Sequence, residues 1–260
     1  MPLTASSADY GTLDATLEGL GHDLPWEMVY QARPRPALVC SACGFPMHAK
    51  TSARGARFFA HDRRSPHCPS RGESEPHRTL KRALADAARA AGHHVSVEAV
   101  AAHGGWRADV LAAGPDGHLT ALEAQVSSAS LDDVLQRTRR YQADGADVVW
   151  FTPFRTRWLG QVPSVLLQRP DRPDLPWRDT LETVTQFSAG PCECDPRPFW
   201  HNGVHAAWTH PAGQPISEFV DHVLHGRLVP DSRLVPYPRL HHWATPKDIQ
   251  AARDHQSSRS

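Results

Sequence analysis

The chain has 260 residues, enough to bury a sizeable core, and its 40% hydrophobic and 22% charged content is that of a soluble globular protein rather than a disordered or fibrous one. No run of eighteen apolar residues occurs, so no transmembrane helix is expected, and the N-terminal MPLTASSADYGTLDATLEGLG lacks the basic head and apolar block of a secretory signal. Net charge is zero, yet residues 33 to 82 hold eleven Lys or Arg against three acids, a block that suits either an anionic partner such as nucleic acid or a solvated basic loop. Five cysteines, an odd number, fall in two clusters instead of a disulfide framework, and a cytoplasmic, reducing location is expected.

Residues 1–36 carry few periodic features and read as an N-terminal extension. Residues 37–72 are rich in Cys, His, Arg and Pro with short apolar pieces such as ALVC and RFFAH. A helix is predicted from Ser74, which can cap it, with Pro76 tolerated in the first turn, Leu80, Leu84 and Ala88 on one face, and Gly92 at its end. Three strands follow at 94–100, 106–112 and 119–126. A second helix starts near Leu131 behind Ser130 and stops near Gly145, and ADVVWFT (146–152) reads as a short buried strand. Beyond 160 the chain is Pro-rich and irregular apart from a helical PISEFVDHVLHGRLV, and the last twenty residues read as frayed. Trp177, Trp200 and Trp208 in this region are candidates for core or for a partner surface.

Cys40-x2-Cys43 has the spacing of a metal knuckle, which sets two thiolates on one tight turn. His61 and Cys68 can complete a Cys3His zinc site, with His67 and His48 as rival fourth ligands. Such a closed site is structural, because no coordination position remains for substrate, and it suits a loop-rich segment with little core. Cys192-x-Cys194 is a weaker pattern, and it reads as two unrelated thiols with His201, His205 and His210 nearby by chance.

Between the second and third predicted strands stands GPDGH. Pro-Asp-Gly favours a type I turn followed by a left-handed glycine, a three-residue hairpin loop. That loop sets Gly114 opposite His118, Asp109 opposite Glu123, and Arg107 opposite Gln125. Directly opposed residues have Cα atoms about 4.5–5.5 Å apart with side chains on one face. Two bare carboxylates so placed repel, and a divalent cation, a shared proton or Arg107 must neutralise them. A hard ion such as Mg²⁺ needs only one or two protein carboxylates and can activate water for phosphodiester hydrolysis. Opposed acids balanced by Arg107 are equally compatible with an ordinary wet hairpin.

Together, Cys40-x2-Cys43, RFFAH ending at His61, Cys68, ESEPH with Lys81, RADV at 107–110, LEAQVSS at 122–128 and RTRRYQADGADVVW resemble the competence protein CoiA family, nuclease-like proteins of the PD-(D/E)XK superfamily. The likeness covers roughly residues 37–151, with weaker hints at ISEFVDHVLHG. It implies an α/β (α+β) fold: a restriction-endonuclease-like αβββαβ core over 73–160, preceded by a zinc-ribbon-like module over 37–72 and followed by a Pro-rich region, 161–260. It also implies that Asp109 and Glu123 bind a catalytic Mg²⁺ or Mn²⁺, helped by the Ala124 carbonyl, with Gln125 where the superfamily usually carries lysine. A neutral amide can bond water or phosphate but supplies no charge, and Arg107 across the hairpin is the expected source of the missing cation. Glu73, His77 and Lys81 recur at four-residue intervals and can share one helix face. Glu73 and His77 are candidates to support the metal site; Lys81, Arg137 and Arg140 are candidates to bind nucleic acid, and each is also readable as a solvated helical face. Ser127 and Ser128 are candidates to cap the second helix. The implied activity is a metal-dependent DNA nuclease acting in DNA uptake, recombination or defence, beside other DNA-processing proteins. The alternative is a non-catalytic, zinc-stabilised nucleic-acid-binding module with a degenerate core.

Overall fold

A computed structural model describes residues 2–257 except 66, 69–72, 174, 182–183, 193, 195–203, 210–212 and 232–241. Five short strands form an N-terminal antiparallel sheet: β1 (Thr4–Ser7), β2 (Gly11–Asp14), β3 (Leu38–Val39), β4 (Pro46–Thr51) and β5 (Arg57–His61), in the order β2-β1-β3-β4-β5. The sheet crosses the boundary expected at residue 36. Leu13, Leu20, Leu24, Trp26 and Val29 share one buried core with Leu38, Met47, Phe59, Cys40 and Cys68. The apparent extension is thus half of this module; four-residue strands reading TASS and GTLD are too short and polar to show a period-2 pattern.

Helix α1 (Glu75–Ala90) follows, with Ser74 as its N-cap and Pro76 in its first turn. Strands β6 (His94–Val97), β7 (Val110–Ala113) and β8 (Leu119–Ala124) make an antiparallel meander. Helix α2 (Leu131–Ala143), capped by Ser130, leads to β9 (Ala146–Thr152), which pairs parallel with β8. Strand β10 (Ser164–Leu166) adds parallel to β9, completing the order β10-β9-β8-β7-β6. The predicted αβββαβ order is therefore present. Both faces of the sheet are covered. Leu80, Leu84 and Ala88 of α1 meet Val97, Val110, Leu122, Val149 and Phe151 on one side; Val134 and Tyr141 of α2 meet Ala121, Val148, Trp150 and Trp158 on the other. Burial on both faces explains why β9 is a continuous apolar run and not an alternating one.

The C-terminal region folds back onto this core. It contributes β11 (Gln186–Pro191) paired with β12 (Val204–Thr209), helix α3 (Ile216–Leu224), β13 (Val229–Asp231) paired with β14 (His242–Ala244), and helix α4 (Pro246–Ser257). Phe219 of α3 packs edge-on against Phe151 and Trp243, with ring centroids 6.0 and 5.2 Å apart. Trp177 is core, its indole N–H donating to the Pro76 carbonyl at 2.9 Å; Trp208 is partly buried, and Trp200 lies outside the described residues. The C-terminal segment is not frayed over 246–257: Thr245 accepts from the Asp248 N–H at 3.1 Å, and Ile249 and Ala252 bury one side of α4. Two apolar residues three apart are a weak sequence signal, and packing makes the helix stable here. No helix among the described residues is long and apolar enough to cross a membrane.

Candidate active site and metal centre

The hairpin has the register its turn dictates. Gly117 sits at φ +82°, the Gly114 N–H donates to the His118 carbonyl at 2.8 Å, and Val110 pairs with Leu122. Continued one residue past the paired segment, that register sets Asp109 against Glu123 at the open end of the sheet. Asp109 accepts from the backbone N–H of Ala124 at 3.0 Å, and Glu123, with 1% of its side chain exposed, points towards α2.

On the α1 side, Glu73, His77 and Lys81 do share one face, two turns long. His77 Nε2 lies 3.0 Å from Asp109 Oδ2, while its Nδ1 lies 3.2 Å from Glu73. Burial opposes charge on this imidazole, but Asp109 and then Glu73 outweigh it and raise its pKa to about 9. The same contact, with Lys81 and the Ala124 N–H, holds Asp109 well below the usual carboxylate range despite burial. Lys81 does not reach solvent. Only 2% of its side chain is exposed, and its ammonium is clamped between Glu73 and Glu98, so the expectation that it meets nucleic acid is corrected. Its position two turns into α1 puts it over the core side of the sheet.

Glu98 was missed by sequence reasoning. It follows β6 with φ +57°, a left-handed turn that directs its carboxylate inward. Besides Lys81 it binds Arg107 at 3.0 Å, the Leu3 N–H at 3.1 Å and the Thr4 hydroxyl at 2.6 Å, fastening the N-terminal sheet to the core. Burial would raise this carboxyl, but Lys81 and Arg107 hold it at about 2. The only available signal was a lone acid in HVSVEAV, where strand alternation gave no reason to turn it inward.

Arg107 therefore does not supply a cation to Gln125, and that expectation is also corrected. Past Asp109 the β7–β8 pairing ends: Arg107 bridges back to Val100, and the Gln125 N–H donates to Phe151 of β9. The cation comes from α2. Arg137 donates to Glu123 through one guanidinium nitrogen and to the Gln125 side-chain amide oxygen at 3.4 Å through another, with its guanidinium carbon 4.5 Å from the Trp150 ring centroid. Tyr141 donates from its hydroxyl to the other Glu123 oxygen, and that hydroxyl also lies 3.1 Å from the Arg107 carbonyl. Burial and Asp109 still push Glu123 up to about 7, against the pull of Arg137 and Tyr141. The Gln125 amide N–H donates to the Ser127 carbonyl and hydroxyl at 3.0 and 3.1 Å, so Ser127 fixes this side chain and Ser130 caps the helix. Arg140 lies on the exposed face of α2.

Four carboxylates (Glu73, Glu98, Asp109, Glu123) thus meet four bases (His77, Lys81, Arg107, Arg137). Glu73, Lys81, Glu98 and Glu123 form a buried floor, each 5% exposed or less, whereas Asp109, His77, Arg107 and Arg137 line the rim at 19–30%. The two opposed acids are the hard-oxygen donor set that Mg²⁺ or Mn²⁺ prefers, and an ion there would take the place of contacts now made by His77 and Arg137.

The four proposed thiol and imidazole ligands of the N-terminal module also converge. Cys40 and Cys68 sulfurs are 3.7 Å apart, Cys43 Sγ is 3.3 Å from His61 Nε2, and one ligand atom from each of the four lies within 4.8 Å of the others. Zinc–sulfur bonds of about 2.3 Å and zinc–nitrogen bonds of about 2.0–2.1 Å put tetrahedral donors about 3.6–3.8 Å apart, which these separations approach. Burial pushes the Cys40 thiol up to about 12, while the Phe45 backbone, Ser65 and His61 outweigh burial at Cys43 and bring it to about 6. The rivals fall away: His48 is held by Asp62 at 2.6 Å, and His67 is exposed.

Residues 73–157 match the family model described as competence protein CoiA, nuclease-like domain. The match covers α1 to just beyond β9, the elements that carry the carboxylate cluster, and makes this segment a nuclease-like domain similar to that of CoiA. No curated protein and no solved structure matches the chain.

Proposed function

We propose that this protein is a DNA nuclease dependent on a divalent cation, with Asp109 and Glu123 holding the ion. The observation that carries the reading is their opposition at the open end of an αβββαβ sheet, inside a segment matching a nuclease-like domain. An ion bound there supplies Lewis-acid stabilisation at phosphorus and lowers the pKa of bound water. The protein's own residues do the rest. Arg137 provides the positive charge that Gln125 lacks, and its partly exposed guanidinium can meet a phosphate oxygen. Gln125, fixed by Ser127, presents an amide at the rim. His77 holds a proton between Glu73 and Asp109, where it offsets their charge; a bound ion would take over that role at Asp109.

The N-terminal module supports a nucleic-acid substrate. A groove of about 1010 Å³ there is lined by Arg33, Arg35, Arg63 and His48 with Asp62, which pairs with Arg35 and His48; the three arginines against one acid leave a cationic lining suited to a phosphate backbone. Zinc on Cys40, Cys43, His61 and Cys68 would hold that surface in shape. Arg140, on the outer face of α2, is a further candidate phosphate contact.

A second reading is a DNA-binding protein without turnover. It is favoured by the engagement of both Glu123 oxygens by Arg137 and Tyr141, together with the neutral Gln125. Purified protein incubated with single- and double-stranded DNA and Mg²⁺ or Mn²⁺ separates the two. Cleavage that disappears in Asp109→Ala and Glu123→Ala supports the nuclease; metal-independent binding with no cleavage in the parent supports the binding module.

A further inference from the structure

A second group of ligand atoms stands apart from both sites above, on the C-terminal hairpin. Cys194 Sγ lies 3.0 Å from His205 Nε2, the Cys194 N–H donates to Cys192 Sγ at 3.2 Å, and one ligand atom from each of the three lies within 4.8 Å of the others. His205 of β12 faces Gly190 near the end of β11. The Cys194 N–H donates to a side chain two residues back, a local turn that keeps Cys194 within reach of His205, where an extended chain would carry it about 13 Å further along. A single intervening residue is a poor knuckle, and the partner across the hairpin is not visible in local sequence, which is why the motif looked unrelated to a metal.

A two-stranded ribbon is marginal in water without packing, and neither β11 nor β12 buries a residue fully. The opposite end is held by apolar contacts: Phe187 faces Trp208 with rings 5.2 Å apart, and His255 of α4 lies 6.0 Å from Phe187. At the Cys192 end the convergent feature is the thiol–thiol–imidazole trio itself.

We propose that Cys192, Cys194 and His205 bind a second zinc ion that staples this end of the β11–β12 hairpin. Two thiolates and an imidazole form a borderline-soft donor set, which selects zinc over Mg²⁺ or Ca²⁺. Three ligands leave a fourth tetrahedral position for water or another group, unlike the closed Cys3His set. The inference is independent of whether the carboxylate cluster cleaves DNA.

Zinc counted by mass spectrometry on the full chain, purified under reducing conditions, tests it. Two equivalents are expected in the parent, falling to one in Cys194→Ser and in His205→Gln, and to one in Cys43→Ser through loss of the other ion. The double variant Cys43→Ser/Cys194→Ser is expected to carry none. Substituted cobalt should show a thiolate charge-transfer band that persists in Cys43→Ser and is lost in the double variant, a readout that needs neither single variant at the hairpin to fold normally. One equivalent in the parent, two equivalents retained in both Cys194→Ser and His205→Gln, or a Cys192–Cys194 disulfide in the reduced preparation would each overturn the proposal.

Discussion

Replacing Lys81 with methionine removes the cation that Glu73 and Glu98 share beneath the candidate site while keeping the length and much of the volume of the side chain. The magnitude follows from Glu98. Its carboxyl is held at about 2 against an ordinary 4.5, and at 1.36 kcal/mol per unit this corresponds to about 3 kcal/mol of folding stability at neutral pH. Removing one partner of a buried ion pair costs about 3–5 kcal/mol by the same physics, since the other charge is left unpaired. Lys81→Met should therefore lower the urea midpoint by about 1–2 M, for a slope of about 2–3 kcal/mol/M. The pH dependence has a definite sign. A depressed carboxyl stabilises the fold fully above its unfolded value and loses that contribution as pH falls through its folded one, so the parent should weaken between about pH 4.5 and 2. In Lys81→Met the Glu98 carboxyl rises from about 2 towards its ordinary value, so the deficit relative to the parent should be full at pH 7 and shrink as pH falls below about 4.5. Glu98→Gln keeps one acceptor oxygen for the Leu3 N–H and can donate from its amide to the Thr4 hydroxyl, so the double variant isolates the charge and should lose at least about 1.5 kcal/mol less than the two singles together. A Lys81→Met deficit below about 1 kcal/mol at pH 7, a deficit that does not shrink between about pH 4.5 and 2, or strict additivity would refute the buried-pair account.

Arg137→Gln should reduce cleavage by about 10²–10³-fold, as expected for loss of one preorganised donor, whereas Arg107→Gln, whose charge goes to Glu98, should lower thermal stability and leave cleavage within about tenfold. Manganese binding followed by calorimetry should weaken about tenfold per unit as pH falls below about 7, because the ion must displace a proton from Glu123; above that value this contribution levels off, and Glu123→Gln should abolish it. Cys68→Ser should cost the N-terminal module its zinc and its resistance to proteolysis, read by limited digestion, with the segment from α1 to β9 surviving longer than the first sheet.

Much of this protein was written in local sequence. Ser74 and Ser130 cap the two helices they were expected to cap, and VVWF marks a strand buried on both faces. The Pro115-Asp116-Gly117 turn fixes a register, and a register of period two leaves no freedom about which residues face each other, so Asp109 and Glu123 could be placed opposite without a structure. Cys40-x2-Cys43 with His61 and Cys68 was similarly legible, because the turn of a knuckle is a local geometry.

What the chain concealed were the partners chosen across space. Glu98 became a member of the cluster through one left-handed residue, and nothing in HVSVEAV distinguishes it from a solvent-facing acid. Lys81 changed from a phosphate contact to a buried counter-ion because burial depends on what covers α1, and part of that cover is the N-terminal strand read as an extension. Gln125 and Arg107 face each other by counting, yet the paired ladder ends three steps earlier, at Val110 and Leu122, and a guanidinium from α2, supported on Trp150, takes the place assigned to Arg107. Sequence by itself determined the elements, their order and the opposed acids, since turns, caps and periodicity act over a few residues. Only the tertiary structure decided which cation neutralises which acid, because a buried charge is paired with whatever base the packing of distant elements brings within reach.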